Sequence, residues 1–164
     1  MLVRLAREDD LEAVEVIYTH YVRTSTCTWQ IEPGSMEERR AWFAARDERH
    51  PVTVAIDGDE VVGFGSLGAF RAREGYRFTV EDTVYVRADR HRRGVGRALL
   101  ADLVDRACAL GHRTIVAGIS ADQEASVALH AAFGFREVGR LPEVGFKFDR
   151  WLDLLLMQRP SAPF

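Results

Sequence analysis

The residues with the greatest chemical potential lie in the run Val84 to Leu100, Val-Tyr-Val-Arg-Ala-Asp-Arg-His-Arg-Arg-Gly-Val-Gly-Arg-Ala-Leu-Leu. They read as a strand, an arginine-rich turn, the pair Gly94-x-Gly96, and an apolar-periodic helix. Free backbone N–H groups at such a helix start, beside positive side chains, form an anion site of the kind that takes phosphate. The helix dipole disfavours cations at an N-terminus, so Arg90, Arg92, Arg93 and Arg97 make most sense with an anion present. Three spaced glycines with a downstream acid, or Gly-Lys-Ser/Thr, would mark the commonest nucleotide loops, and neither occurs here. Just upstream, on a strand predicted from Phe78 to Val86, Thr79, Glu81, Thr83 and Tyr85 share one face. Glu81 is thus either a general base on the strand that leads into the anion loop, or a solvent-facing strand carboxylate. Gln123, Ser126 and His130 fall at i, i+3 and i+7 on one helical stripe, where His130 is either a proton donor or a histidine packed at a helix–sheet seam.

Composition narrows the classes. A chain of 164 residues with 47% hydrophobic and 29% charged residues is expected to fold as one domain, 1–160, with a frayed tail at 161–164. Its net charge of −3 argues against an extended nucleic-acid surface, so any basic patch is local. Cys27 and Cys108 have no CxxC or Cys/His spacing, which points away from disulfides and bound metal and towards a reducing cytoplasm. The charged start Arg4 to Asp10 is unlike a secretory leader, and no apolar run has the length of a membrane span.

Several elements must position these groups. A strand is predicted over Leu2 to Ala6, then a helix capped by Asp9 or Asp10 and carrying Leu11, Val14, Val16, Ile17 and Tyr21. Ser35 and Glu38 form a capping box for a helix from Met36 to Arg46. Residues 51–56 and 60–67 read as a hairpin about Asp57-Gly58-Asp59. A polar segment, Arg71 to Arg77, precedes the Glu81 strand. A helix from Val95 stops at Gly111, a strand covers Arg113 to Gly118, and a helix runs from about Asp122 to Phe133. Two last strands are predicted at Phe135 to Val138 and Phe146 to Met157, the apolar residues from Leu152 to Met157 suggesting self-association. This order implies an α/β (α+β) fold, a mixed, mostly antiparallel sheet with helices on both faces.

The Gly94-x-Gly96 segment resembles the acetyl-CoA loop of GCN5-related N-acetyltransferases. Ser25 and Trp29, the run Tyr76 to Val86, Ser126 to His130 with Phe133-Gly134-Phe135, and Gly145 to Phe148 with Trp151-Leu152-Asp153 resemble the phosphinothricin and methionine-sulfoximine N-acetyltransferases, over about residues 2 to 159. The resemblance implies the GNAT fold and transfer of an acetyl group from acetyl-CoA to the α-amine of an amino-acid-like small molecule. It implies Glu81 as base, and coenzyme binding by Val84, Tyr85, Val86, Arg92, Arg93, Gly94, Val95, Gly96, Arg97, Gln123 and Ser126. Many members of the superfamily carry a tyrosine acid where this chain has His130. Arg71 and Arg73 match basic positions, and Tyr76 an aromatic one, suited to an acceptor carboxylate; Trp29 and Val80 complete the acceptor set. A homodimer is also implied. His91 stands where arginine or glutamine is usual, Gln123 where asparagine is usual, and Asp149 where relatives carry glycine. His91 would then leave Arg90 or Arg92 to supply charge.

Other acceptors, a protein N-terminus or a polyamine, belong to the same enzyme class, and a polyamine would require carboxylates where residues 71–77 are basic. A coenzyme-binding module without turnover would lack Glu81 and His130, both present here.

Overall fold

The computed structural model describes residues 1–161. The opening alternation forms β1 (Leu2–Leu5), and Arg4 reaches back to Asp10 through two bonds of 2.7 and 2.8 Å. Asp10 also accepts the Arg7 N–H, fixing the entry to α1 (Leu11–Thr24), which buries Leu11, Val14, Ile17 and Val22. Ser35 and Glu38 exchange the two reciprocal bonds of the expected capping box, and α2 spans Met36–Ala44. The hairpin follows as β2 (Val52–Asp57) and β3 (Glu60–Ala69), then β4 (Thr79–Val86), α3 (Val95–Ala109), β5 (Thr114–Ser120), α4 (Glu124–Ala132), β6 (Arg136–Lys147) and β7 (Arg150–Pro160).

The seven strands form one sheet in the order β1-β2-β3-β4-β5-β7-β6, antiparallel throughout except for β4 against β5. Its two faces divide by strand parity. Val80 on β4 packs with Leu67, Leu100, Leu103, Phe135 and Met157, while Val84 and Val86 lean on Val95 and Leu99 of α3. Tyr85, one residue out of phase, packs with Phe64, Val14, Ile17, Tyr18 and Tyr21 beneath α1. The helices therefore cover both faces, as the element order requires.

The pairing of β4 with β5 sets the stage for the site. It runs only from Thr79↔Thr114 to Glu81↔Val116, although β4 continues to Val86 and β5 to Ser120. Beyond Glu81 the two strands part, leaving a fork in the middle of the sheet.

Three expectations need correction at the C-terminal end. The strands placed at Phe135 to Val138 and Phe146 to Met157 are two long strands, β6 and β7, joined at Phe148 and Asp149, both with positive φ of 52° and 54°. Pro142 disguised β6. It lies in the register shift between Leu141 and Gly145 on the sheet's edge, where proline costs no ladder bond. The Phe148–Asp149 pair has the backbone of a two-residue hairpin turn, so the glycine usual at 149 answers a turn geometry. Leu152, Leu155 and Met157, read as a self-association surface, are buried in the core. The tail expected to fray at 161–164 begins with a fixed residue, since Ser161 is buried, donates its N–H to Arg113 and its hydroxyl to the His112 carbonyl. Residues 162–164 lie outside the described residues.

Candidate active site

Glu81 is the last β4 residue paired to β5, so its carboxylate stands at the mouth of the fork. It is half-buried, and space for it comes from Gly118 on β5. A Cβ there would lie 2.9 Å from Glu81 Oε1 and 3.6 Å from Leu154. Burial, and then the negative charge of Asp82, raise the Glu81 pKa above the ordinary carboxylate value. A carboxylate so placed is a stronger proton acceptor near neutral pH than a free one.

Past the fork, β4 gives two different things. The side chains of Val84 and Val86 are spent on α3, and that of Tyr85 on Phe64 and Tyr18, so any contribution of these residues to a ligand is through the backbone. The Val86 carbonyl is already taken by the Tyr21 hydroxyl. His91 Nε2 lies 2.6 Å from that hydroxyl and 3.3 Å from the same carbonyl, with its ring stacked on Tyr21. The unusual histidine thus ties the arginine-rich turn to α1.

At the start of α3, Gly94 takes the left-handed conformation (φ 80°), and no side chain caps the helix. The N–H groups of Val95, Gly96 and Arg97 precede the first helical bond, which Ala98 makes to Gly94. A Cβ at Gly96 would come within 3.3 Å of Leu129 and 3.5 Å of Val86, so glycine lets the helix start sit close against β4 and α4. Arg92, Arg93 and Arg97 are exposed and make no ion pair among the described residues, Arg97 lying over the Phe133 ring. Arg90 differs. Its guanidinium is held by Glu60 at 2.9 Å and Asp57 at 3.5 Å, which removes it as the expected source of charge beside His91.

The α4 stripe faces inward. His130 is 5% exposed, with Nε2 2.9 Å from Asp82 Oδ2 and Nδ1 2.7 Å from the Ser126 carbonyl. Both partners are acceptors, so both ring nitrogens carry protons and both protons are engaged. Burial pushes its pKa down, but the hydrogen bond and charge of Asp82, helped by the Ser126 carbonyl, reverse this and leave it raised. That geometry fits a residue that positions and partly neutralises Asp82, behind Glu81, rather than an acid facing a leaving group. Ser126 Oγ lies 3.4 Å from the same ring, and Gln123 Nε2 donates to Thr26 at 2.7 Å, so the Gln123 side chain is committed to the 25–29 segment.

On the acceptor side, Trp29 is half-buried and seated on Gly145, where a Cβ would meet its ring at 2.6 Å. Lys147, 2% exposed, donates to the carbonyls of Ser25 and Thr28 at 2.7 and 2.8 Å and so pins the segment bearing Trp29. Arg71, Arg73 and Tyr76 surround an open hollow of about 450 Å³, with Arg71 stacked on Phe70 and Tyr76. Val80 is a correction. It is fully buried on the α3 face of β4, opposite Glu81, because adjacent strand residues point to opposite faces. A further cavity of about 390 Å³ lies between α1, α2 and the β3–β4 face, lined among others by Arg39, Trp42, Arg46, Ser66 and Thr83. Sequence reasoning missed Asp82, Lys147, Arg39 and Arg46. Only Asp82, next to Glu81 in a strand otherwise apolar on that face, carried a readable signal.

The chain matches the acetyltransferase (GNAT) domain over residues 3–156. It is 43% identical over 163 residues to an L-methionine sulfoximine/L-methionine sulfone acetyltransferase of Pseudomonas paraeruginosa, covering 98% of this chain and 95% of that one. Among solved structures it is 38% identical, with a TM-score of 0.91, to a phosphinothricin acetyltransferase from Sinorhizobium meliloti in complex with AcCoA, covering 97% of this chain and 87% of that one. It is 42% identical, with a TM-score of 0.95, to a ribosomal-protein-alanine N-acetyltransferase from Brucella melitensis, covering 98% and 99%. The seven-stranded forked sheet and its uncapped, arginine-flanked helix start define an acyltransferase that draws on an acetyl thioester. The chain belongs to the GNAT acetyltransferase family, whose acetyl donor is acetyl-CoA.

Proposed function

We propose that this enzyme acetylates the α-amine of a small amino acid or analogue of the phosphinothricin, methionine sulfoximine or methionine sulfone type. The observation that carries the reading is the half-buried Glu81 at the mouth of the β4–β5 fork, its carboxylate lying over Gly118. Two of the three relatives named above act, by their names, on such acceptors, the third being named for a ribosomal-protein alanine, and the basic Arg71–Arg73 hollow suits an α-carboxylate.

The coenzyme, when bound, supplies an acetyl group activated as a thioester. The N–H groups of Val95, Gly96 and Arg97, with Arg92, Arg93 and Arg97 around them, fit its phosphates by charge and by hydrogen-bond direction. The backbone donors of Val84 and Val86, which alternate away from the β3 ladder and are unpaired to β5, are the groups available to the thioester arm and to charge developing on its oxygen. An α-amine with a pKa near 8 is mostly protonated at neutral pH, so Glu81 takes one proton and frees the lone pair. The nitrogen forms the new C–N bond, the C–S bond breaks, and the second nitrogen proton leaves with the sulfur as free thiol. Burial, with the charge of Asp82 adding to it, keeps the Glu81 pKa raised, and His130 holds Asp82.

Two further parts of the reading concern assembly and place. Val138, Leu141, Val144, Phe146, Phe148 and Trp151 are each 45–61% exposed on the β6–β7 hairpin, an apolar surface suited to a homodimer. Cys27 and Cys108 are free thiols and no helix among the described residues is long and apolar enough to cross a membrane, which accords with a cytoplasmic enzyme.

The experiment is a panel assay of free-thiol release from acetyl-CoA. Phosphinothricin, methionine sulfoximine and methionine sulfone are expected to be acetylated. A polyamine and a peptide with an N-terminal alanine serve as rivals. Turnover confined to the peptide or the polyamine would replace the proposed acceptor.

A further inference from the structure

The cavity beneath α1 and α2 contains a charge that the acetyl-transfer scheme leaves unused. Its two carboxylates are committed. Glu15 pairs with Arg39 at 2.6 Å and accepts from Thr19 at 2.8 Å, and Glu38 accepts the Ser35 N–H of the capping box. Arg39 is in turn sandwiched by Tyr18 and Trp42. Arg46 is different. It is half-buried and stacked on Trp42 at 4.6 Å, and its guanidinium makes one long hydrogen bond of 3.4 Å to the Leu67 carbonyl and no ion pair among the described residues. Burial and the neighbouring Arg39 charge depress its pKa, so the guanidinium sits desolvated and short of an anion. The nearby carboxylate of Asp47 is taken up by His50 at 2.6 Å.

Its position relates it to the proposed reaction. Arg46 Nη1 lies 3.1 Å from where a Cβ on Gly68 would stand, and Gly68 is the register partner of Glu81. The wall between them and Tyr85 is formed by the register pair Ser66 and Thr83. The Glu81 carboxylate leans the other way, over Gly118 on β5. Arg46 and the base are therefore separated by the width of β4, two strand spacings or about 10 Å. An extended amino acid with a polar group three bonds from its α-carbon spans roughly 5 Å, and a hydrogen bond of about 2.8 Å at each end closes that gap.

The geometry points to Arg46 as the residue that binds the oxygen-bearing phosphorus or sulfur group at the far end of the acceptor side chain, with Ser66 and Thr83 lining its approach. This rests on the amino-acid acceptor reading above. Arg71 and Arg73 then remain for the α-carboxylate, and the two cationic sites sort the two ends of one substrate.

The test compares wild type, Arg46→Gln and Arg46→Lys with phosphinothricin, methionine sulfone and norleucine, by steady-state kinetics and by calorimetric binding in the presence of CoA. Arg46→Gln is expected to raise KM and Kd for phosphinothricin about tenfold or more and those for methionine sulfone less. The same change should leave norleucine and acetyl-CoA within about twofold, and Arg46→Lys should recover part of the loss. A purely structural arginine would affect norleucine equally, and that result overturns the assignment, as does an unchanged Kd for phosphinothricin. Binding of phosphinothricin without acetylation by wild type would instead contradict the proposed reaction while leaving Arg46 tested by Kd. Failure of wild type to bind either oxygenated acceptor overturns both.

Discussion

At the scale of single residues, the site depends on what is missing beside Glu81 as much as on the carboxylate itself. Gly118 leaves the space that Oε1 fills, so Gly118→Ala must displace the carboxylate or the strand. We expect kcat to fall at least about tenfold with acetyl-CoA KM little changed, checked by initial rates and by a circular-dichroism spectrum matching wild type. Trp29 is held in the same way by Gly145, and Gly145→Ala is expected to raise acceptor KM with little effect on the coenzyme. The sequence showed Glu81 and its strand face through the period of two, and it showed Trp29 by resemblance. It did not show Gly118 or Gly145 as their seats, because contact across strands distant in sequence leaves no local pattern. Val80 illustrates the converse: its neighbourhood to Glu81 along the chain places it on the wrong face of the strand.

Secondary-structure elements carry the electrostatics. The seam of α4 against β4 buries an imidazolium with Asp82, and removing one member of a buried pair costs about 3–5 kcal/mol. His130→Phe should therefore lower the unfolding free energy by an amount of that order, measured by denaturant titration at constant pH. The His130 pKa is raised on folding. Its stabilisation is thus full below the unfolded value near 6.5 and is lost as pH climbs through the folded value, so the wild-type advantage over His130→Phe should shrink in that direction. In the variant Asp82 is left unneutralised behind Glu81, and the acidic limb of the rate profile should move to higher pH. At the other element, the start of α3, Arg92, Arg93 and Arg97 are free to meet an anion while Arg90 is not. Each of the first three changed to Gln should raise acetyl-CoA KM several-fold in a salt-dependent manner, whereas Arg90→Gln should not. The helix start was legible as Gly-x-Gly after a strand. Which arginine faces the ligand was not, since Glu60 comes from a different hairpin.

For the whole molecule, the order of elements was legible up to α4 because each strand or helix there has its own period and its own stop, such as Gly58, the Ser35–Glu38 box or Gly111. The C-terminal hairpin was not. Pro142 and three positive-φ residues, Glu143, Phe148 and Asp149, interrupt β6 and its turn, and only pairing with β7 overrides them. The fork leaves no local pattern in the chain, being a property of how far two strands pair and not of either strand's own sequence. Its consequence for function is a carboxylate of raised pKa where the pairing of β4 with β5 ends. The most direct test is the rate of thiol release with methionine sulfone, wild type against Glu81→Gln, followed from acidic to alkaline pH past an α-amine pKa of about 8. The account predicts a variant slower by about a hundredfold or more at neutral pH, without the carboxylate limb and partly recovering as the amine loses its own proton. A variant with the wild-type rate and profile would contradict it.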